Sequence, residues 1–350
     1  MVSLRGTGHS LVQHNRILIV GTGPWGYALA ILLGEQSHVD LVTHDRRKAQ
    51  HFPKFLPATD HLGQEHSVLV PHRVQCFHDE DRHLSGSSYD LVILACNSPH
   101  FESRLDFIAS ICTCPLLIAT KGLTYDGRLL SIAAEERLGT GREIGVLCGP
   151  NIAPDVVIGP YSGADVAFRD LDISVSVARL FSYSKLKLLP STRVDTLALS
   201  GALKNVYTIA AALVDNALLN ESIKGLLVAR AAAEMTRLQE LYGTEAPHAL
   251  EGLHGIGDFY TTSICRRSRN YGYGKALAEG NRELILSTKE RAEGNHTAEA
   301  LSRKFGSRTL EKELPILNAV CSSIRGEPIS AVLSMMQDKW EAFARGVIWV

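Results

Sequence analysis

Residues 16–36 read RILIVGTGPWGYALAILLGEQ. Arg16–Val20 is a short apolar run that predicts a β-strand. Gly21-x-Gly23-x-x-Gly26 predicts a tight turn, and Ala28, Ala30 and Leu33 mark the apolar face of a helix that follows it. Strand, glycine turn and helix in direct succession predict the first βα unit of a dinucleotide-binding fold. Glycines at that spacing let the backbone approach a pyrophosphate and set it on the helix N-terminus. Trp25, inside the turn, is either a packing aromatic or a side chain lying against the nicotinamide end of a cofactor.

Reading outward, further apolar runs predict strands at 39–44, 89–96, 115–120 and 144–148. The last three end in Asn97-Ser98-Pro99, Lys121-Gly122 and Gly149-Pro150-Asn151, so polar or glycine-bearing turns should share one crevice. In open parallel sheets ligands bind beyond the carboxyl ends of the strands. The second strand runs into Thr43-His44-Asp45-Arg46-Arg47-Lys48. Asp45 is spaced to hold the ribose 2′-hydroxyl of NAD, while the arginines suit the 2′-phosphate of NADP. Both cofactors stay open.

The bulk numbers narrow the classes. A chain of 350 residues suggests two domains, and 36 Lys+Arg against 37 Asp+Glu leaves no field to gather a polyanion. Nucleic acid is therefore not an expected partner, because such binding draws on phosphate neutralisation. The seven cysteines form no C-x-x-C pair, and Cys112-Thr-Cys114 reads as buried thiols within an apolar run. Scattered cysteines favour a reducing compartment. No H-E-x-x-H occurs among the 14 histidines, so no metal is expected. Residues 1–15 read as a flexible leader without an apolar signal region, which predicts a cytoplasmic protein with no membrane insertion.

From about residue 192 the pattern changes. Residues 194–241 are rich in Ala and Leu with no proline, which predicts long helices, and further helices are expected near 271–280, 297–306 and 310–325. The division expected is 16–191 as a Rossmann-like NAD(P)-binding domain and 192–350 as an all-α domain. Within LALSGALKNVYTIAAAL, Lys204 is a charge in an apolar helix, where it must snorkel or find partners. Asn205 beside it points about 100° away and must serve a different purpose. Gly252-x-x-Gly255-x-Gly257-Asp258 is a glycine turn presenting a carboxylate, with Thr261 and Thr262 beyond it. Lys121 is an ammonium at a strand end in the expected crevice. The run CRRSRNYGYG (265–274) offers three arginines, of which Arg266 and Arg267 read as solvated.

Taken together, GTGPWGYALA, ATKGL, CGPNIA, GALKNVYTIAA, GLHGIGDFYTTSICRRSRNYGYGKALAEG and AEGNHTAEAL occur in the order seen in the NAD(P)-dependent glycerol-3-phosphate dehydrogenases, and the chain resembles that family from about residue 16 to at least 320. The resemblance implies a Rossmann-like domain plus an all-α domain, the 6-phosphogluconate dehydrogenase-like architecture, with the active site between them. It implies reduction of dihydroxyacetone phosphate to sn-glycerol 3-phosphate, or the reverse, without a metal, in glycerol-3-phosphate metabolism and phospholipid biosynthesis. Lys204 would be the acid/base, with Lys121, Asn205, Asp258 and Thr262 around the reacting carbon. Arg269 and Asn270, assisted by Ser268, would hold the substrate phosphate, and Gly149 and Asn151 would line the substrate side. Pro24, Trp25, His44, Lys121, Ala153, Arg269 and Glu293 would fall on cofactor contacts, beside Gly21, Gly23, Gly26 and Asp45. The partner implied is a small phosphorylated three-carbon substrate, and the large helical domain makes a homodimer the expectation.

The sequence departs from the family at specific positions. The family's glutamate six residues before the catalytic lysine is Ala198, glycines after the lysine helix are Ala212 and Asn216, and residues 217–222 match poorly. His44 replaces the usual arginine, and Asn97 the usual proline. These departures leave room for a paralogue acting on a related phosphorylated or phosphonate ketone. A non-catalytic dinucleotide sensor is the third reading, opposed by the retention of Lys204, Asp258 and Arg269.

Overall fold

The computed structural model describes residues 15–328 except 86, 140, 217–220 and 246–248, together with 330, 331 and 334. The expected leader, apart from Asn15, and the first part of the poorly matching stretch lie outside the described residues.

Ten strands occur among them: β1 (Arg16–Val20), β2 (His38–Thr43), β3 (Phe55–Thr59), β4 (Glu65–Leu69), β5 (Val74–His78), β6 (Leu91–Leu94), β7 (Leu116–Ile118), β8 (Ile144–Cys148), β9 (Ser162–Phe168) and β10 (Leu186–Ser191). Eight form one sheet in the order β10-β9-β8-β7-β6-β1-β2-β5, and β3 with β4 makes a separate hairpin. Every neighbouring pair in the large sheet is parallel except β8 with β9. The carboxyl ends of β1, β6, β7 and β8 therefore open on one side, as the three turn-terminated runs predict. The strands in the runs at 89–96 and 115–120 are shorter than expected, Leu91–Leu94 and Leu116–Ile118, although backbone hydrogen bonds continue at Ala95 and Ala119. The hairpin and β5, β9 and β10 were not anticipated.

Alternation along the parallel strands divides the core. Ile17, Ile19, Leu91 and Ile93 belong to one apolar cluster, with the helix Pro24–Gly34 packed on that face. Leu18, Val20, Val92 and Leu94 belong to the other, which is continuous with Leu197, Leu203 and Val206 of the helix Val194–Asn216. Successive side chains on a strand point to opposite faces. One face thus merges with the helical half into a single core. The last strand ends at Ser191, and all described elements after it are helical.

The helix Val194–Asn216 is long and apolar enough to cross a membrane, yet 89% of its most apolar window is buried inside the protein. Its apolarity serves a core position, with the helices Asp258–Ile264, Arg269–Ala278 and Glu293–Glu313 packed around it.

One buried carboxylate fastens two of the other helices. Leu314 cannot cap the helix Pro315–Arg325, so Glu234, on the helix Glu221–Leu241, accepts from the N–H of Ile316 (2.6 Å) and Leu317 (3.1 Å), and from the Tyr207 hydroxyl (3.2 Å). Burial pushes its pKa up to about 7 from an ordinary 4.5, against the pull of those donors. Between those pH values the folded chain keeps a proton that the unfolded chain has released, so stability falls as pH rises through that window. The shift corresponds to about 3 kcal/mol. Glu234→Gln should flatten that part of the stability-versus-pH curve, measured by chemical denaturation at pH 4.5–8. An unchanged slope would assign the dependence to another group.

Candidate active site

The site is built where β7 and β8 end against the helical half. Lys121 lies three residues beyond β7. A π-type turn at Leu253–Gly257, non-helical at Gly255, delivers Asp258 to the first position of the helix Asp258–Ile264. Lys204 comes from the middle of the helix Val194–Asn216. Asp258 joins them: its Oδ2 accepts from Lys121 Nζ at 2.6 Å and its Oδ1 from Lys204 Nζ at 2.8 Å. Lys204 Nζ also donates to the Thr262 hydroxyl (2.7 Å), which in turn donates to Asp258 Oδ1 (3.2 Å). Lys121 Nζ makes a second bond, to the Gly149 carbonyl at 3.0 Å.

The two ammoniums have unequal surroundings. Burial works against charge on both. At Lys121 the attraction of Asp258 outweighs burial and the pKa rises. At Lys204 burial, reinforced by repulsion from Lys121, outweighs Asp258 and the pKa falls below its ordinary 10.5. Asp258 is itself fully buried, but the two lysines hold its carboxyl below the usual range. The arrangement therefore separates a permanent cation from a lysine able to give up its proton, the property required of an acid/base group.

Cys148, at the end of β8, was missed as a site residue. Its thiol donates to Asp258 Oδ2 at 3.5 Å, and burial pushes its pKa up to about 12, so it adds no charge. No sequence pattern marks it, because the contact spans 110 residues.

A second set of contacts surrounds the cluster. Asn205 Oδ1 accepts from Asn270 Nδ2 at 2.8 Å, and Asn270 Oδ1 accepts from the Gly294 N–H at 2.9 Å. Asn205 thus faces away from Lys204's partners, as adjacency on a helix requires. Asn270 is buried with one amide N–H left uncommitted. Ser268 caps the helix Arg269–Ala278 by accepting from the Tyr271 N–H. Arg269 is exposed and makes no hydrogen bond or ion pair with the described residues, while its charge bears on Glu293. Arg267, expected to be solvated, instead holds both Asp155 carboxylate oxygens at 2.8 Å and the Thr59 carbonyl at 2.7 Å. That reading fails because a hairpin invisible in the sequence brings its carbonyl within reach.

Glu293 opens the helix Glu293–Glu313 and accepts from the Ser98 N–H (3.1 Å) and hydroxyl (2.5 Å), linking the turn after β6 to the helical half. Ser98 lies in a turn expected at the crevice, but its link to Glu293 was missed. Asn151 donates to Ser162 Oγ and the Gly163 carbonyl, leaving its buried Oδ1 without a partner.

The glycine turn fits a dinucleotide. Gly26 packs so tightly that a Cβ would stand 1.9 Å from the Gly21 carbonyl oxygen, so only glycine closes the turn. Gly23 precedes the helix Pro24–Gly34 without any side-chain cap, leaving its first N–H groups for an anion. Trp25 Nε1 is buried and unpartnered, a donor awaiting an acceptor. Beside the turn, an apolar cavity of about 190 Å³ runs from Pro24 and Ala153 under the hairpin residues Leu56 and Val68. His44 is exposed at the end of β2. Asp45 caps the next short helix, accepting from the N–H of Arg47 and Lys48, and those hydrogen bonds, Lys48's first, hold its pKa down. No group of three metal-ligating side chains stands together among the described residues.

Comparison with known sequences fits this construction. The pattern of the NAD-dependent glycerol-3-phosphate dehydrogenase N-terminus matches residues 16–173, and that of the same family's C-terminus matches 194–332. The chain belongs to this family. A glycerol-3-phosphate dehydrogenase [NAD(P)+] of Methylobacillus flagellatus is 30% identical over 309 residues, covering 87% of this chain and 92% of that one. One from Sinorhizobium fredii is 31% identical over 323 residues, covering 89% and 92%. Among solved structures, glycerol-3-phosphate dehydrogenase from Coxiella burnetii superposes with a TM-score of 0.80 at 22% identity, covering 92% of this chain and 99% of that one. A D-mandelate dehydrogenase shares the fold at a TM-score of 0.58 and 14% identity, covering 91% and 99%.

The inequality of the two lysines is directly measurable. NMR titration of lysine side chains should find one ammonium losing its proton below 10.5, and that signal should vanish in Lys204→Met. Asp258→Asn should lower it further and cost about 3 kcal/mol or more of stability, since a buried ion pair loses its anion. Titration of Lys204 at or above the ordinary value would contradict the assignment.

Proposed function

We propose that the chain catalyses NAD(P)-dependent interconversion of dihydroxyacetone phosphate and sn-glycerol 3-phosphate, with Lys204 as the acid/base. The observation that carries this reading is the pair of lysines sharing Asp258, one held charged and the other with its pKa depressed. The family's relatives, named for the same activity, supply the substrate class.

The bound nicotinamide supplies the hydride. This chain's residues manage the charge and the proton. Negative charge develops on the carbonyl oxygen during reduction, and Lys204, with Thr262 beside it, is poised to donate a proton there. Lys121 stays cationic, steadying the carbonyl without exchanging its proton. Asn205 and Asn270 keep the lysine helix in register with the helix Glu293–Glu313, through the Gly294 N–H. Arg269, which makes no ion pair with the described residues and lies beside the buried Asn270, would grip the phosphate through two parallel hydrogen bonds, assisted by Asn270 and Ser268. Gly149 and Asn151 line the opposite side, where the unpartnered Asn151 Oδ1 suits a substrate hydroxyl. The glycine turn with Pro24 and Trp25, together with Ala153 and Glu293, faces the cofactor. At the adenosine end Asp45 favours NAD and the unpaired cations Arg47 and Lys48 favour NADP, so the reading keeps both. It extends to a cytoplasmic homodimer, on the size of the helical half and on seven cysteines that are all free.

Separate assays with NADH and NADPH test the proposal. Dihydroxyacetone phosphate should be reduced, and dihydroxyacetone should be a far poorer substrate. Lys204→Ala should lower kcat by roughly a hundredfold or more with cofactor affinity retained. Arg269→Ala should chiefly raise the substrate KM, by roughly thirtyfold, for loss of about 2 kcal/mol of charge-assisted bonding. Wild-type turnover in the lysine variant would end the proposed mechanism, and faster turnover of a phosphonate ketone would favour the paralogue.

A further inference from the structure

A second reactive constellation lies at the far end of the sheet, where the proposed reaction has no use for it. Cys112 follows the helix Phe101–Ile111 in extended conformation (φ −157°, ψ 163°), and Cys114 stands just before β7. Residues two apart in an extended segment point to the same side. The Cys114 thiol accordingly donates to Cys112 Sγ at 3.6 Å. Both cysteines are only partly buried, and Thr113 between them is exposed, so small solutes can reach the sulfurs. The reading of this pair as simply buried thiols does not hold.

Arg142 gives the pair its character. It is 9% exposed, and its Nη1 donates to the Cys112 carbonyl at 2.9 Å and its Nη2 to Cys112 Sγ at 3.7 Å. Its Nε is buried without a partner, and no carboxylate forms an ion pair with it among the described residues. A buried guanidinium calls for a nearby anion. Among the described residues, Cys112 is the side chain hydrogen-bonded to it that can carry negative charge. The hydrogen bond from Cys114, with Arg142 adding to it against burial, brings the Cys112 thiol down to about 7. Burial drives Cys76, Cys96, Cys148 and Cys321 the other way, to about 11 or 12.

We propose that Cys112 and Cys114 form a redox-active dithiol, in which Cys112 is the peroxide-reactive thiolate and Cys114 closes a reversible disulfide. Cys112 sulfur attacks the terminal oxygen of a hydroperoxide. The O–O bond breaks, leaving a sulfenic acid on Cys112 and an alcohol, or water, that takes up a proton from solvent. Cys114 sulfur then attacks the sulfenic sulfur, the S–O bond breaks, and the departing hydroxide leaves as water with the Cys114 proton. The two thiols lose two electrons and the peroxide gains them. A dithiol reductant reverses the change by thiol–disulfide exchange.

The experiment uses the intact reduced protein, one equivalent of hydrogen peroxide, and quenching with a thiol alkylator before peptide mass spectrometry. The peptide holding both cysteines should be found two hydrogens lighter and unalkylated, and dithiothreitol should restore two alkylatable thiols. In Cys114→Ser, dimedone should trap a sulfenic acid on Cys112. In Cys112→Ser, Cys114 should stay alkylatable after the same treatment. At neutral pH without oxidant, Cys112 should alkylate at least about a hundredfold faster than Cys96 or Cys148, in keeping with their thiolate fractions. Lys204→Ala should form the disulfide as the wild type does, so the outcome is independent of the dehydrogenase reading. Two alkylatable thiols after peroxide, oxidation no faster than at the other cysteines, or undiminished loss of the alkylatable Cys114 thiol in Cys112→Ser would overturn the proposal.

Discussion

Two ammonium groups from opposite halves of the chain share one buried carboxylate, and the rest of the site depends on that sharing. Asp258 cannot neutralise Lys121 and Lys204 together, so with both protonated the cluster carries an uncompensated positive charge in a low-dielectric pocket. The nearest remedy is for one lysine to release its proton readily. Burial and repulsion select Lys204, because Lys121 also holds a carbonyl and is 16% exposed against 7%. Ala198 belongs to the same account. A glutamate there would supply a second negative charge; the alanine lines a cavity of about 10 Å³ beside Thr120, Lys121 and Cys148. That is room for about one water molecule. The Cys148 thiol remains protonated and leaves the balance unchanged.

Because Lys121 hangs from the sheet while Lys204 and Asp258 come from the helical half, the cluster also acts as a fastening. Ser98 with Glu293 is a second fastening between the same halves, and the continuous apolar core beneath them is a third. The polar links are short and buried, so a slide of one half against the other that kept water out would leave a carboxylate and an ammonium unpaired. The geometry of the candidate site and the docking of the two halves are thus one condition. The π-type turn that delivers Asp258 is held from behind by His254, whose N–H and ring nitrogen both meet Asp165 Oδ2 on β9 (2.8 and 2.6 Å). A sheet strand therefore sets the position of a carboxylate presented by a helix.

The sequence made the centre of the fold legible and the periphery less so. Glycine spacing after an apolar strand, and three runs ending in polar turns, identify β1, β6, β7 and β8 and the side on which they open. A lysine in an apolar helix and an aspartate after a glycine turn are conspicuous in composition, so Lys204 and Asp258 could be singled out before any contact was known. The hairpin was missed because FLPAT and EHSVL alternate weakly, include a proline and keep most side chains exposed, so no apolar run announces them. Cys148, the Ser98–Glu293 link and Glu234 were missed for a different reason: each acts through a partner remote in sequence, and nothing in its own neighbourhood records that. Arg267 was misread for the same cause. Local pattern reports what a segment can bury, whereas ion pairing depends on what the finished fold brings near.

That distinction resolves the basic run at 265–274. Three guanidiniums lie within four positions, and sequence alone gives them equal standing. The fold separates them by neighbours: Arg267 is spent on Asp155 and the hairpin carbonyl, whereas Arg269 keeps its fork free near Glu293 and the buried Asn270. A free cation beside a committed carboxylate is stabilised enough to stay in place but retains unused donors. On the proposed reading, a phosphate arriving there would complete the hydrogen bonding of Arg269 without displacing a protein partner. On the same reading, a substrate lacking phosphate would leave that fork with only water and would lose the proposed anchor for its carbonyl. Selectivity for a phosphorylated substrate would then rest on Arg269, which its place beside Glu293 and Asn270, rather than its lack of an ion pair, sets apart from the equally exposed Arg266.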